Sequence, residues 1–400
     1  MIELFRKNKK RKYRYLFILP FYLAIGLLRK TNIIRGEYYL FGSSGGNEFN
    51  DNSKYAFLTN IENQKCIWVT HSKKVVDRLN ELGIKNVVIS NSFKGVYYHL
   101  FSKMVVVSHG TYDVLPPLLK NVKILQFWHG LPIKKIGNHV EKEYEHSIVN
   151  TFWRIVFRLY PHLNNYYCDY FIDNSKNGYY LDFNPFNPKI VKIGYPRLNI
   201  IKENEKLDFY CQNSKLEQLK EVRSLGKKII LYMPTYRNNQ SYEDNIDICD
   251  KLYHHFKNDN NWFFVYKSHF LVKNHFKNSN NFMNYTDADP YPLLPLIDGL
   301  ITDYSSIGID YLLYNKPIYY FTYDLEEYEN SPGCYFELKN LFRDLLVADA
   351  KKISSKIKNE VFGKENKSKL REEILDKIID KDTINKFQNN IDTIYYEVNN

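Results

Sequence analysis

His129-Gly-Leu-Pro-Ile-Lys-Lys-Ile-Gly137 follows directly on an apolar run, Ile124 to Trp128. A histidine at the end of a buried strand, with a glycine turn (Gly130) and paired lysines (Lys134, Lys135) after it, suits a general base beside anion ligands. The same residues would also suit a histidine that merely fixes the turn, with lysines on a solvated face. A second such stretch is Leu300-Ile-Thr-Asp-Tyr-Ser-Ser-Ile-Gly-Ile-Asp310. An apolar run from Tyr291 ends at Thr302-Asp303, and Ser305 and Ser306 then open a helix-like pattern through Ile309, Tyr311 and Leu312. Unpaired N–H groups at a helix N-terminus suit a phosphate, and two hydroxyls would add donors. Serine and aspartate are also ordinary caps. Arg237 follows the run Lys228–Met233, and Lys267 and His269 follow Trp262–Tyr266. Singly, Arg237 reads as a surface charge and His269 as a core histidine. Recurring at successive strand ends, these groups would line one crevice and offer what a pyrophosphate requires.

The elements that must carry these residues alternate. Tyr38–Phe41, Cys66–Thr70, Val87–Ser90, Met104–Ser108, Ile124–Trp128, Tyr170–Ser175 and Ile190–Gly194 read as strands. Helices are expected over Lys54–Asn60, Val75–Leu82, Phe93–Phe101 and Glu141–Tyr160, with Gly42–Ser53 as a loop. A charged, mostly helical stretch, Asn199–Gly226, precedes a second series: Lys228–Met233, Trp262–Tyr266, Phe282–Tyr285 and Lys316–Thr322 as strands. Asn238–Asp250 reads as a polar loop and Cys249–Phe256 as a helix. Asp344–Lys381 reads as solvent-facing helix, and Ile384, Phe387, Ile391 and Ile394 as one last packed helix. Continuous apolar strands between helices predict an α/β fold with parallel sheets covered on both faces. The expected organisation is residues 1–30 as a basic and apolar segment, 31–205 and 206–382 as two αβ domains, and 383–400 as a C-terminal helix.

The 400 residues carry a formal charge of +11 and are 44% hydrophobic, with 35 tyrosines and 26 phenylalanines. That charge favours anionic partners, namely phosphates, nucleotides, an acidic polymer or an anionic membrane. No zinc-finger or RNP-like run points to nucleic acid. The five cysteines form no C-x-x-C pair, which argues against a zinc site or disulfide framework and fits a reducing, cytoplasmic setting.

Seven basic residues between Arg6 and Arg14 precede an apolar run, Tyr15–Leu28, closed by Arg29 and Lys30. Fourteen residues fall short of the ~20 that span a bilayer. No small-x-small cleavage site follows. The expectation is a one-sided anchor on the inner leaflet, with basic residues on anionic lipid and the apolar run inserted. A buried first helix behind a solvated basic tail is the alternative.

Trp128-His-Gly-Leu-Pro-Ile-Lys-Lys-Ile-Gly137 resembles the W-H-G-T-P-x-K-x-x-G segment of the CDP-glycerol glycerophosphotransferases, the teichoic-acid primases and polymerases. Gly194-Tyr-Pro-Arg197, Tyr232-Met-Pro-Thr-Tyr-Arg237, Lys267-Ser-His269, Leu300–Ser306 and Tyr323-Asp-Leu-Glu-Glu-Tyr328 match further family segments in the family's order, and Asp51-Asn-Ser-Lys54 does so loosely. The resemblance implies a GT-B-like fold of two Rossmann-like domains with the active site in the cleft between them. It implies transfer of a polyol phosphate, glycerol phosphate first among candidates, from a CDP-polyol to a hydroxyl of a lipid-linked or polymeric acceptor, releasing CMP. His129 then resembles the base, and Arg237, His269, Ser305 and Ser306 the ligands of the donor pyrophosphate. Gly130, Lys134, Arg197, Lys267, Thr302 and Asp303 support them. The family attaches to the inner membrane face and builds teichoic-acid-like or capsular polymer. Leu131 replaces the family's threonine, and Phe270 replaces a common proline after the histidine.

The chemistry expected is in-line attack at the β-phosphorus, with His129 taking the hydroxyl proton and the cationic groups meeting the charge on CMP. No carboxylate cluster demands a metal; Mg²⁺ carried in with the diphosphate is compatible. Two rival readings are a GT-B glycosyltransferase using a nucleotide sugar and a non-catalytic, membrane-bound polymer-binding protein.

Overall fold

In the computed structural model the described residues are 19–139, 155–198, 210–211, 213–235, 237, 242–268, 278–330, 333–384 and 390–399. Short, mostly apolar runs of two to six residues extend into two parallel sheets. The first comprises β1 (Tyr38–Gly42), β2 (Cys66–Thr70), β3 (Val87–Ile89), β4 (Ser102–Val107), β5 (Lys123–Gln126), β6 (Tyr170–Ile172) and β7 (Lys189–Val191), in the order β3-β2-β1-β4-β5-β6-β7. The second comprises β8 (Lys228–Tyr232), β9 (Trp262–Tyr266), β10 (Phe282–Asn284), β11 (Gly299–Thr302), β12 (Ile318–Phe321) and β13 (Leu346–Val347), in the order β10-β9-β8-β11-β12-β13. Every residue of β2 and β9 is buried, as expected for strands covered on both faces.

Strand order reverses between β1 and β4 in the first sheet and between β8 and β11 in the second. Diverging connections open a crevice at such a point, and it lies outside the strands' carboxyl ends. Ser43, Ser44 and His109 follow β1 and β4; Arg237 and Asp303–Ser306 follow β8 and β11. Arg237 and the Asp303–Ser306 stretch thus fall at the second sheet's switch point, while His129 follows β5, one strand beyond that of the first sheet.

Several boundaries differ from the sequence reading. The first covering helix starts at Asp51, inside the expected Gly42–Ser53 loop, because Asn50 is extended and releases the chain into the helix there. The strand expected over Ile124–Trp128 stops at Gln126, and Trp128 turns into the left-handed region at φ 61°. A helix over Tyr242–Tyr253 occupies most of the expected polar loop 238–250. The run from Tyr291 is a 3₁₀ turn, Tyr291–Leu296, before β11 begins. Asp344–Lys381 is more than solvent-facing helix. It includes β13, and Ile353, Ile357, Ile374 and Ile378 are fully buried while the Arg371–Glu360 ion pair lies inside. Ile384 and Ile391 sit on separate helices, Lys381–Ile384 and Ile391–Asn399; Phe387 lies outside the described residues.

The last helix returns to the first sheet. The Tyr39 hydroxyl donates to Asp392 at 2.5 Å, and the Ile391 N–H donates to Asn60 Oδ1 at 2.9 Å. At the other end, the helix Leu19–Lys30 buries Tyr22 and Ile25, and Arg29 donates to the carbonyls of His99, Leu100, Leu118 and Lys120 at 2.6–2.8 Å. The basic run before Leu19 and most of the expected helix Glu141–Tyr160 lie outside the described residues.

Candidate active site

Trp128 and Gly130 bend the chain sharply at the end of β5. Both have positive φ, 61° and 130°, and a bulky residue tolerates this only where its surroundings hold it. Asn52 does so. Its Nδ2 donates to the Trp128 carbonyl at 2.9 Å, and its Oδ1 accepts from the Arg197 N–H at 3.3 Å. The bend turns Gly130 onto the second domain, where a Cβ would stand 2.4 Å from Ser306 Oγ and 2.7 Å from its Cβ. No side chain fits there, so the glycine permits the contact that brings the histidine turn against the serines.

His129 is half-buried beside that contact. Its Nδ1 faces the Ser108 carbonyl at 3.4 Å, so Nδ1 carries the hydrogen and the opposite edge, Nε2, is an acceptor. Burial, and after it the facing His109, lower its pKa to about 3, against the pull of Asp51. The ring is therefore neutral and able to accept a proton. The His109 ring stacks on it at 4.5 Å, with 3° between planes.

Arg197 is fully buried between the domains. Nη1 donates to Asp51 and Nη2 to Asp310, each at 2.7 Å, and the Tyr291 hydroxyl also donates to Asp310, at 2.5 Å. A second buried pair, Lys54–Asp289 at 2.7 Å, joins the domains nearby, and the Tyr55 hydroxyl shares that carboxylate at 2.8 Å. Lone buried charges would be costly; these are paired and hydrogen-bonded.

On the second domain Asp303 gathers the ends of β8 and β11. It accepts from Thr235 N–H and hydroxyl, from Tyr304 N–H, and from Arg237 Nη1 at 2.8 Å. The Thr302 hydroxyl donates to the Met233 carbonyl at 2.7 Å, closing the same junction. Asp324, just after β12, takes Arg237 Nε at 2.5 Å and Nη2 at 3.1 Å, and the Tyr304 hydroxyl at 2.9 Å. Burial alone would weaken the guanidinium's hold on its proton, but Asp303 and Asp324 more than reverse this and keep Arg237 charged. With Thr235 O, four of its five N–H groups are engaged by described residues. A cavity of about 650 Å³ opens beside it, lined by Tyr323, Asp324, Glu326, Glu327, Lys339 and Arg343 among others.

Lys134 bridges in from the first domain. Residues Ile133–Lys135 pair with Gly333–Tyr335: Lys135 N–H donates to Gly333 O, and Tyr335 N–H to Ile133 O, each at 2.9 Å. Burial lowers the Lys134 pKa, and Asp303 opposes the shift. Thus His129, Gly130, Lys134, Arg197, Arg237, Thr302, Asp303 and Ser306 converge on one cleft. Ser305 is half-buried next to Ser306, which caps a short helix, Ile307–Tyr311, continued by a 3₁₀ turn over Leu312–Tyr314. Lys267 points elsewhere: Nζ donates to the Asp287 carbonyl at 2.5 Å, and burial lowers its pKa to about 8 against the pull of Asp287, Asp289 and Glu48. It braces the turn that receives Lys54. His269 and Phe270 lie outside the described residues.

Sequence reading gave no role to Asp289, Asp310, His109 or Asp113, and took in Asp324 only as part of the matched segment Tyr323–Tyr328. Asp289, Asp310 and Asp324 meet partners distant in the chain, so spacing carried no signal, and Asp113 meets Ser108 and His109 through backbone N–H groups, which leave no mark in the sequence; for Asp51 and Lys54 a loose motif match was the only hint.

The model of the family CDP-glycerol:poly(glycerophosphate) glycerophosphotransferase matches residues 27–394. A teichoic acid poly(glycerol phosphate) polymerase of Staphylococcus epidermidis is 27% identical over 359 residues, 82% of this chain and 44% of that protein. The chain thus spans less than half the length of this relative. One of the same description from Bacillus spizizenii is 24% identical, over 86% of this chain and 88% of its own. A teichoic acid glycerol-phosphate transferase of Staphylococcus aureus is 26% identical over 75% of this chain and 77% of its own. Among solved structures, that of the wall teichoic acid polymerase TagF superposes with a TM-score of 0.69 at 20% identity, covering 100% of this chain and 98% of that one. At that identity the likeness speaks for the two-domain fold.

Proposed function

The chain belongs to the CDP-glycerol:poly(glycerophosphate) glycerophosphotransferase family, and from that premise we propose that it transfers glycerol phosphate from CDP-glycerol to a hydroxyl of a growing surface polymer, releasing CMP. The observation that carries this is the Gly130–Ser306 contact. It sets a neutral imidazole with a free Nε2 edge against the serines that follow β11, in the cleft between the sheets.

In the reaction, the acceptor hydroxyl gives its proton to His129 Nε2 as its oxygen bonds the β-phosphorus. The bond from that phosphorus to the bridging oxygen breaks, and the electron pair leaves with CMP. A pKa near 3 makes a weak base, but a bound diphosphate places negative charge beside the ring and raises its proton affinity. Ser305, Ser306, Lys134 and the remaining N–H of Arg237 supply donors to the phosphoryl oxygens, with His269 as a further ligand. Asp303 and Asp324 hold the guanidinium in one pose, so little reorganisation accompanies charge build-up. Mg²⁺ would enter with the diphosphate, and chelation in the assay tests for it.

Membrane attachment belongs to the same reading. The helix Leu19–Lys30 turns Tyr22 and Ile25 inward and exposes Phe21 (65%), Leu23 (56%) and Leu27 (63%). No helix among the described residues is long and apolar enough to cross a membrane. An apolar stripe next to the basic run Arg6–Arg14 suits one leaflet of an anionic membrane, which would place the protein at the cytoplasmic face, where lipid-linked acceptors are made.

The deciding experiment offers CDP-glycerol and CDP-ribitol separately to the purified protein with a lipid-linked acceptor and measures CMP. Release with one donor, lost in His129→Gln, supports the reading. Consumption of a nucleotide sugar with no CMP from either polyol donor overturns it.

A further inference from the structure

His109 is a firmly held residue near the cleft that the reaction does not use. It follows β4 at the topological switch point of the first sheet. Its backbone is fixed on both sides: the N–H donates to Asp113 Oδ2, and the carbonyl accepts from Asn165 Nδ2, each at 2.7 Å. Gly110 then needs φ 121°, and a Cβ there would collide with the Asn165 carbonyl at 2.0 Å. The ring is fixed too. Nδ1 accepts from the Ser44 N–H at 3.2 Å, so the hydrogen sits on Nε2, which faces Asp51 Oδ2 at 3.9 Å.

One carboxylate coordinates the arrangement. Asp113 is fully buried and accepts from Gly45 N–H, Ser108 N–H and His109 N–H at 2.7–3.0 Å. It thereby places Ser108, whose carbonyl takes the His129 Nδ1–H, and His109, whose face covers the His129 ring. The loop 43–46 that orients His109 hangs from the same group.

We propose that His109 is a positioning residue for His129: its ring is the fixed face that holds the His129 imidazole with Nδ1–H on Ser108 and Nε2 open to the acceptor hydroxyl. A single 3.4 Å contact to a carbonyl is a weak restraint on a ring that can flip or tilt. A parallel ring at 4.5 Å removes the tilt. It also acts on charge, since two stacked imidazoles resist being protonated together. The charged groups facing the pair are Asp51 from the helix Asp51–Thr59, Arg197 from the turn after β7, and Asp113 beneath. Arg197 is held by Asp51 and Asp310, so the negative side faces His109 Nε2–H. The inference rests on reading His129 as the proton acceptor, yet the ring's state is measurable without turnover.

The test uses ¹⁵N-histidine spectra of the full chain, with His129 assigned by its loss in His129→Gln. His109→Asn keeps an acceptor for Ser44 N–H but has no ring face. His109→Phe keeps a face but has no nitrogen and no charge. In the wild type and in His109→Phe, His129 should show one tautomer, hydrogen on Nδ1. In His109→Asn it should show averaged tautomers. The His129 titration midpoint should rise in both variants. CMP release should fall about 10- to 100-fold in kcat in His109→Asn, as expected when a reacting group is misplaced, with donor KM within about twofold of wild type. An unchanged tautomer in His109→Asn would overturn the inference, and so would averaging in His109→Phe as complete as in His109→Asn. Should the tautomers follow the expectation while no variant or wild type releases CMP, the positioning role stands and the transferase reading falls.

Discussion

Gly130 and Ser306 follow strands of different sheets, yet a single carbon added to Gly130 would stand 2.4 Å from the Ser306 hydroxyl. The close approach couples a backbone requirement on one domain to a polar group on the other. Gly130→Ala is expected to strain the turn at φ 130° and push the histidine turn off the serines. The strain should lower stability by about 1–3 kcal/mol, and a displacement near 1 Å should cost CMP release about 100-fold. Urea unfolding and initial rates check the two effects separately.

His129 and Arg237 should fail differently. His129→Gln is expected to lower kcat by about 10²–10⁴-fold, the range for removing a general base, with donor affinity largely kept. Arg237→Ala should chiefly raise donor KM. It should also lower stability, because Asp303 and Asp324 lose the charge they share. Calorimetric donor binding beside steady-state rates distinguishes the two, and loss of donor affinity alone in both variants would contradict the assigned roles.

Lys54 and Asp289 form a buried ion pair across the cleft. Lys54→Met should destabilise by about 3–5 kcal/mol, since it leaves a buried carboxylate with only hydrogen-bond partners. Lys54→Met combined with Asp289→Leu should recover most of that loss, because apolar replacement of both partners is often nearly neutral. Denaturation of the single and double variants measures the coupling.

Three histidines, buried His99 and His162 and half-buried His129, should each contribute a loss of stability in acid. Burial lowers His99 to about 4, and His129 and His162 to about 3. His99 uses both nitrogens as a neutral ring: Nδ1 donates to Gly95 O at 2.7 Å, and Nε2 accepts from Leu115 N–H at 3.1 Å. Folded pKa values below the ordinary imidazole value of about 6.5 mean that the unfolded chain binds more protons between that pH and about 3–4. Their contribution to stability therefore rises with pH across this window and is lost as pH falls through it. Asp113 has the opposite sign, since burial raises its carboxyl to about 7, and its contribution fades as pH rises from about 4 to 7. Glu48, Asp169 and Asp310 are raised by burial with the same sign as Asp113, so the histidine contribution is read by substitution. His99→Gln should reduce the slope of stability against pH by about one proton in a series of urea titrations.

The succession of strands and helices, and the places where His129, Arg237 and Ser306 leave the strand ends, were legible in the sequence. Local apolar runs determine which segments extend and pack on both faces, and strand ends follow from where a run stops. The ordered family motifs rest on that same local information. What the sequence left open were the partners of the charges. Arg197 meets Asp51 and Asp310, which are 146 and 113 residues away, and Lys54 meets Asp289 at a separation of 235. Equally, Lys267 shares the strand-end position of Arg237 but turns to the Asp287 carbonyl, away from the Asp303–Asp324 pair. Ion pairs and stacked rings such as His109 on His129 depend on distances through space, which only the packing of the two sheets decides.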